Sequence, residues 1–155
     1  MRKYQLPDFL SARVDQSVYE RWLHRKAVAH VKRDRGRGNT TATNAGYKVA
    51  IHKAVCECHG VDAYTGEALN WSLLSQYDNE QSKQHGRGYK NQFALLPSVD
   101  HVGDGTGPAD FKICAWRTND AKADLSYEEF VELCSKVVQA ANQQPKPTPY
   151  RRGLP

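Results

Sequence analysis

The chain has 155 residues, of which 39% are hydrophobic, with 22 Lys and Arg against 17 Asp and Glu, so its net charge is +5 at neutral pH. That length is expected to form one domain with a modest core, and the positive balance favours an anionic partner, with nucleic acid the first candidate. No run of about 18 apolar residues exists to span a membrane, residues 1–7 lack the apolar core of a signal peptide, and four irregularly spaced cysteines cannot make a secreted disulfide framework; a cytoplasmic protein with reduced thiols is expected.

Residues 1–14 read as a lead-in, with Leu6, Phe9 and Leu10 packed on the domain. Ser17 and Glu20 have the spacing of a capping box, which predicts a helix running to about Arg35. Tyr19, Trp22, Leu23, Ala27, His30 and Val31 then share one face at helical spacing. The remaining surface and the C-terminal end carry Arg21, Arg25, Lys26, Lys32, Arg33, Arg35 and Arg37. Cations there suit the negative end of the helix dipole, and they equally form a surface for phosphates. Gly36 and Gly38 stop the helix, and a polar connector leads to a second helix over about 45–58. Val49, Ala50, Ala54 and Val55 are its expected core contacts.

Cys56, Cys58 and His59, with Cys114, could form a metal site, but the spacing CxCH is not an established zinc pattern, and free thiols are the simpler reading. Residues 62–71 suggest a turn into a short strand, with Tyr64, Leu69 and Trp71 as packing groups. Residues 75–90 are polar and contain glycine, so a surface loop is expected. Within it Lys83, Arg87 and Lys90 are candidates for nucleic-acid contacts.

The chemistry concentrates in residues 94–122. Residues 94–102 are rich in Leu and Val and end in Asp100-His101. Gly103, Gly105, Gly107 and Pro108 break the chain, and residues 110–116 alternate in character as a second strand does. Arg117 and the residues after it have the polarity of a helix entry, and Arg117 joins the phosphate-contacting candidates. Folded as strand, loop, strand and helix, Asp100 and His101 would meet Asn119. A carboxylate and an amide oxygen suit Mg²⁺, which keeps several waters and takes one or two protein ligands. A neutral imidazole beside them can take a proton from water. Ser126 and Glu129 form a second capping box, with Leu125 stapled on Phe130. The helix they start spans 126–141 and has an apolar face of Phe130, Val131, Cys134, Val137, Val138 and Ala141, with Cys134 read as core. Residues 143–155, rich in proline with Lys146, Arg151 and Arg152, are expected to be an extended, disordered basic tail.

Asp100-His101, Asp110, Asn119 and Lys122 resemble the motif of the HNH endonucleases of the ββα-metal superfamily. The resemblance implies an α+β fold: one nuclease domain over 1–142, with a basic helical part at 15–58, a ββα core at 92–124 and a C-terminal helix. It implies that His101 is the general base and that Asp100 and Asn119 hold Mg²⁺, for which Mn²⁺ can substitute. Asp110, standing where the family usually has Asn, would orient His101, and Lys122 would lie near the phosphate. Many members carry two CxxC pairs on a structural zinc. Here those positions fall on Asp62, Thr65, Ala115 and Thr118, so no structural zinc is expected. The implied activity is hydrolysis of DNA phosphodiester bonds, with double-stranded DNA as partner. The alternative is a nucleic-acid-binding protein on a decayed nuclease scaffold. The sequence leaves monomer and homodimer open.

Overall fold

The computed structural model describes residues 3–143. The expected basic tail, apart from Gln143, lies outside them. Helix α1 spans Gln16–Gly36 and buries Tyr19, Trp22, Leu23, Ala27, His30 and Val31, the stripe that the spacing predicts. Asp34 continues the stripe and is fully buried. The start of α1 departs from expectation. Its N-cap is Asp15, without a side-chain cap bond, and Glu20 instead accepts from Gln16 Nε2 at 2.8 Å. Gln16 also donates to Tyr4 O and accepts from Leu6 N, so it laces the lead-in onto the helix.

Helix α2 spans Asn44–Glu57 and is capped by Thr43, whose side chain accepts from Gly46 N at 3.1 Å. Tyr47, Ile51, Ala54 and Val55 are buried, but Val49 is 48% exposed. Two residues from Tyr47 is more than half a helical turn, so Val49 faces away from α1. Trp22 and Trp71 meet edge to face at 6.1 Å within the core formed by α1, α2 and the sheet.

Residues 75–90 were expected to be a loop, but helix α3 occupies Asn79–Gln92. Asp78 caps it by accepting from Glu80 N and Gln81 N, and Gly86 breaks it with φ 56°. The helix is polar all round and buries only Ser82, so hydrophobic periodicity could not reveal it. Tyr77, Tyr89 and Phe93 cluster at its two ends, with ring centroids 5.0–5.5 Å apart.

Strands β1 (Pro97–His101) and β2 (Phe111–Ala115) form an antiparallel pair, shorter than the predicted runs, with Asp100 opposite Lys112 and His101 opposite Phe111. Helix α4 (Trp116–Lys122) follows directly and packs on both strands. The fold is α+β: helices around a small two-stranded sheet. Helix α5 (Tyr127–Gln143) belongs to a separate compact unit that begins at Leu125. Its capping box forms as predicted, with Ser126 N donating to Glu129 at 2.8 Å and Glu129 N donating to Ser126 Oγ at 3.2 Å. No residue of α5 is buried, and Cys134 is exposed rather than core.

The four positions aligned with zinc ligands, Asp62, Thr65, Ala115 and Thr118, come together through one carboxylate. Asp62 Oδ2 accepts from Ala115 N at 2.8 Å and from Thr118 Oγ1 at 2.6 Å. Its Oδ1 accepts from Tyr64 N at 2.7 Å and from Thr65 N at 3.1 Å. Asp62 is 1% exposed, so these four donors replace the water it loses. Removing the acceptor leaves Ala115 N and Thr118 Oγ1 orphaned in the interior, at about 1–3 kcal/mol each. Asp62→Ala is expected to destabilise the protein by about 3 kcal/mol or more, read as a fall in denaturation midpoint at unchanged m-value. A shift of a few tenths would mean that water supplies those partners.

Candidate functional site

A cleft of about 520 Å³ opens where the C-terminal end of β1, the turn after it, α4 and the last turn of α1 meet. Asp100, His101, Asn119 and Lys122 all line it, with Arg33 and Arg37 from α1. Four of the five motif residues thus reach one volume. The fifth, Asp110, does not line it.

Asp100 Oδ2 accepts from Tyr64 Oη at 2.5 Å and pairs with Lys122 Nζ at 3.1 Å. Tyr64, a packing group in the sequence reading, therefore belongs to the site. Burial and the Asp100 carboxylate push its phenol upward, so it remains a donor. Asn119 Nδ2 donates to Ser98 Oγ at 3.1 Å, which turns the amide oxygen away from β1.

His101 stands between two acceptors. Nδ1 lies 2.5 Å from Asp34 Oδ2, and Nε2 lies 3.0 Å from the Pro108 carbonyl. Its side chain is 1% exposed. The carboxylate expected from Asp110 thus comes from Asp34, 67 positions earlier in the chain. Asp110 is exposed, and its carbonyl accepts from Val102 N at 2.9 Å. The strand pleat explains the difference. Phe111 packs against the His101 ring at 4.6 Å, so its neighbour Asp110 points to the opposite face. Asp34 was legible in one respect: it is the lone acid on the buried stripe of a basic helix end.

Asp34 also accepts from Tyr47 Oη at 2.9 Å and from Arg33 Nε at 3.0 Å. Burial alone would raise its pKa, but the bonds from His101, Tyr47 and Arg33 together hold the carboxyl below its ordinary range. The turn after β1 closes tightly over this group. A Cβ on Gly105, where φ is +86°, would lie 2.6 Å from Asp34 Oδ1. Asn39, itself buried, donates to the carbonyls of Gly105 at 2.9 Å and Gly107 at 3.1 Å.

The cations expected to meet phosphate divide into three groups. Arg33 and Arg37 line the cleft, and Arg37 also donates to Asp104 O at 3.3 Å. Arg35 holds the Ala42 carbonyl, Arg117 grips Glu67, Lys83 pairs with Glu80, and Arg25 donates to Ser75. Lys32, Arg87 and Lys90 are exposed. Cys56 is exposed, Cys58 is half-buried and Cys114 is buried. Among the described residues, no three or more His, Cys, Asp or Glu are grouped so as to hold a metal ion. Compared with known proteins, the chain matches no family model, no curated protein and no solved structure.

His30 sits beside this network. It is buried against Phe111, and its Nδ1 accepts from Arg33 Nη2 at 2.8 Å. Burial, then Arg33 and Lys26, push its pKa down to about 3. Between about pH 6.5 and that value the unfolded chain binds a proton that the folded chain refuses. Stability is therefore expected to fall as pH drops through this window, by up to about 1.4 kcal/mol per pH unit from this group. Comparing denaturation midpoints across the window, His30→Gln should show a flatter profile than wild type; parallel profiles would show that His30 does not carry the effect.

Proposed function

We propose that the protein is a Mg²⁺-dependent endonuclease of the HNH type that hydrolyses phosphodiester bonds in DNA. The observation that carries this reading is the meeting of Asp100, His101, Asn119 and Lys122 with Arg33 and Arg37 on one cleft. The strand–turn–strand–helix order of β1, β2 and α4 is the arrangement the motif requires.

Mg²⁺ fits the donor set. Asp100 Oδ2 and Asn119 Nδ2 are engaged by protein, whereas Asp100 Oδ1 and the Asn119 amide oxygen make no protein hydrogen bond among the described residues. Two oxygens of this kind suffice for an ion that fills its remaining positions with water and phosphate. Such an ion supplies Lewis-acid polarisation and charge neutralisation at the phosphate; Mn²⁺ offers the same chemistry. Arg33 and Arg37 hold the strand by its phosphates, and Lys122, at the wall of the cleft, adds positive charge beside the scissile group. His101 accepts the proton of the attacking water at Nε2, and Asp34 stabilises the imidazolium that results. For this step Nε2 must leave the Pro108 carbonyl, so the turn over 103–109 has to move when substrate enters. The products carry 5′-phosphate and 3′-hydroxyl ends.

A second reading, a protein that binds nucleic acid without cutting it, is favoured by one observation: both ring nitrogens of His101 already face protein acceptors. The experiment that separates the two is incubation of supercoiled plasmid with Mg²⁺ or Mn²⁺. Wild type is expected to give nicked or linear DNA, with His101→Ala slower by ~10²–10⁴-fold. Salt-dependent binding without any cleavage would select the second reading. Within the nuclease reading, Asp34→Asn is expected to slow cleavage ~10–100-fold while Asp110→Ala stays near wild type. The reverse ranking would return the orienting role to Asp110.

A further inference from the structure

A second cavity, of about 300 Å³, is lined by Lys26, Tyr77, Leu96, Pro97, Ser98 and Trp116. We infer that it is a nucleotide subsite that receives one unpaired nucleobase of the strand lying in the cleft, with Lys26 meeting that nucleotide's phosphate. The inference deepens the proposed function and rests on it for the identity of the strand.

The cavity and the cleft are built from the same three elements. Helix α1 gives Lys26 to the cavity and Arg33 and Arg37 to the cleft. These residues are spaced i, i+7 and i+11, so they share one helix face, and Lys26 stands about 10 Å along the axis from Arg33. Strand β1 gives Pro97 and Ser98 to the cavity and Asp100 and His101 to the cleft. Helix α4 gives Trp116 to the cavity and Asn119 and Lys122 to the cleft. The Asn119–Ser98 hydrogen bond joins the two linings directly. A separation of about 10 Å corresponds to about three steps along one strand of a B-form duplex, and fewer along an extended single strand.

The walls suit a base. Trp116 and Tyr77 meet edge to face at 5.2 Å and are both only half-buried, so an aromatic surface is left for stacking. Trp22 and Trp71, by contrast, are deep in the core. The volume is at the small end of ordinary ligand pockets, which fits a single ring system rather than a larger ligand. Lys26 is half-buried and forms no ion pair with any described carboxylate, so an incoming phosphate would be its counter-ion. Burial and the neighbouring Arg25 also depress its pKa, and an arriving anion would reverse that. A base can enter only if it is unstacked, so the preferred substrate has a single-stranded or frayed segment beside the phosphate that is cut.

The test uses a single-stranded DNA oligonucleotide, its RNA counterpart and an abasic DNA of the same length, in chelator so that nothing is cut. Because Trp116 is the one partly exposed tryptophan, its fluorescence reports entry of a base. The two oligonucleotides with bases are expected to quench emission, and the abasic one to bind without quenching and roughly 5- to 150-fold more weakly, the range for loss of one stacked base. Trp116→Phe should abolish the quench. Lys26→Gln should weaken binding of all three oligonucleotides while leaving the thermal midpoint unchanged. Equal affinity for abasic and intact strands, or an undiminished quench in Trp116→Phe, would overturn the subsite. Its fate is separable from that of the nuclease reading: quenching by a protein that never cuts plasmid keeps the subsite and removes the catalysis, and cutting without quenching does the opposite.

Discussion

The cleft depends on one buried carboxylate. Asp34 is fully enclosed and sits in the last turn of α1, where the helix dipole opposes a negative charge. Burial and the dipole both act against it, and three donors from α1, α2 and β1 offset them: Arg33, Tyr47 and His101. Stripping one partner from such a group leaves a charge without compensation in a medium of low polarity. The same carboxylate fixes the plane of the His101 ring and, through its closeness to Gly105, the course of the turn that covers the ring. Site geometry and fold stability thus share a single group.

Asp62 plays a comparable part at the other end of the sheet. One side chain ties the segment 62–65 to the end of β2 and to helix α4, both more than 50 positions further along the chain. In the proposed family setting these are the places of a metal knuckle, and here a carboxylate with four donors joins them. A hydrogen-bond hub holds its segments by direction as well as by charge, and it needs no thiolate. The sheet between the two aspartates has only two short strands. Its position is therefore fixed less by its own ladder than by the buried acids at its edges and by the packing of α2 and α4.

The cleft carries both signs of charge. Asp100 is held by Tyr64 and Lys122, and Arg33 and Arg37 line the same cleft. Several other cations on the chain are spent on internal partners, Arg35 on a carbonyl and Arg117 on Glu67. The total of 22 Lys and Arg therefore overstates how many cations are free to meet a polyanion. What gives the surface direction is the single face of α1 that runs from Lys26 to Arg37, since it connects an aromatic-walled cavity to the cleft.

The sequence by itself determined the elements whose signals are local. The buried stripe of α1, the strand pair around the glycine-rich turn, the entry of α4 and the capping box of α5 could be read because periodicity and capping act over a few residues. Asp100, His101 and Asn119 were legible together because strand, turn and short helix leave little freedom over so few positions; Lys122 joined them only through the family resemblance. Helix α3 was missed because a helix that is polar all round carries no hydrophobic period. Val49 and Cys134 were misjudged because a period shows that a face exists, not what covers it. Only the tertiary structure decided which carboxylate meets His101. Asp110 is nine positions away in sequence and faces the wrong side of a pleated strand, whereas Asp34 is 67 positions away and is delivered to the ring by the packing of α1 on the sheet. Long-range convergence of this kind depends on how whole elements dock, and no local pattern encodes it.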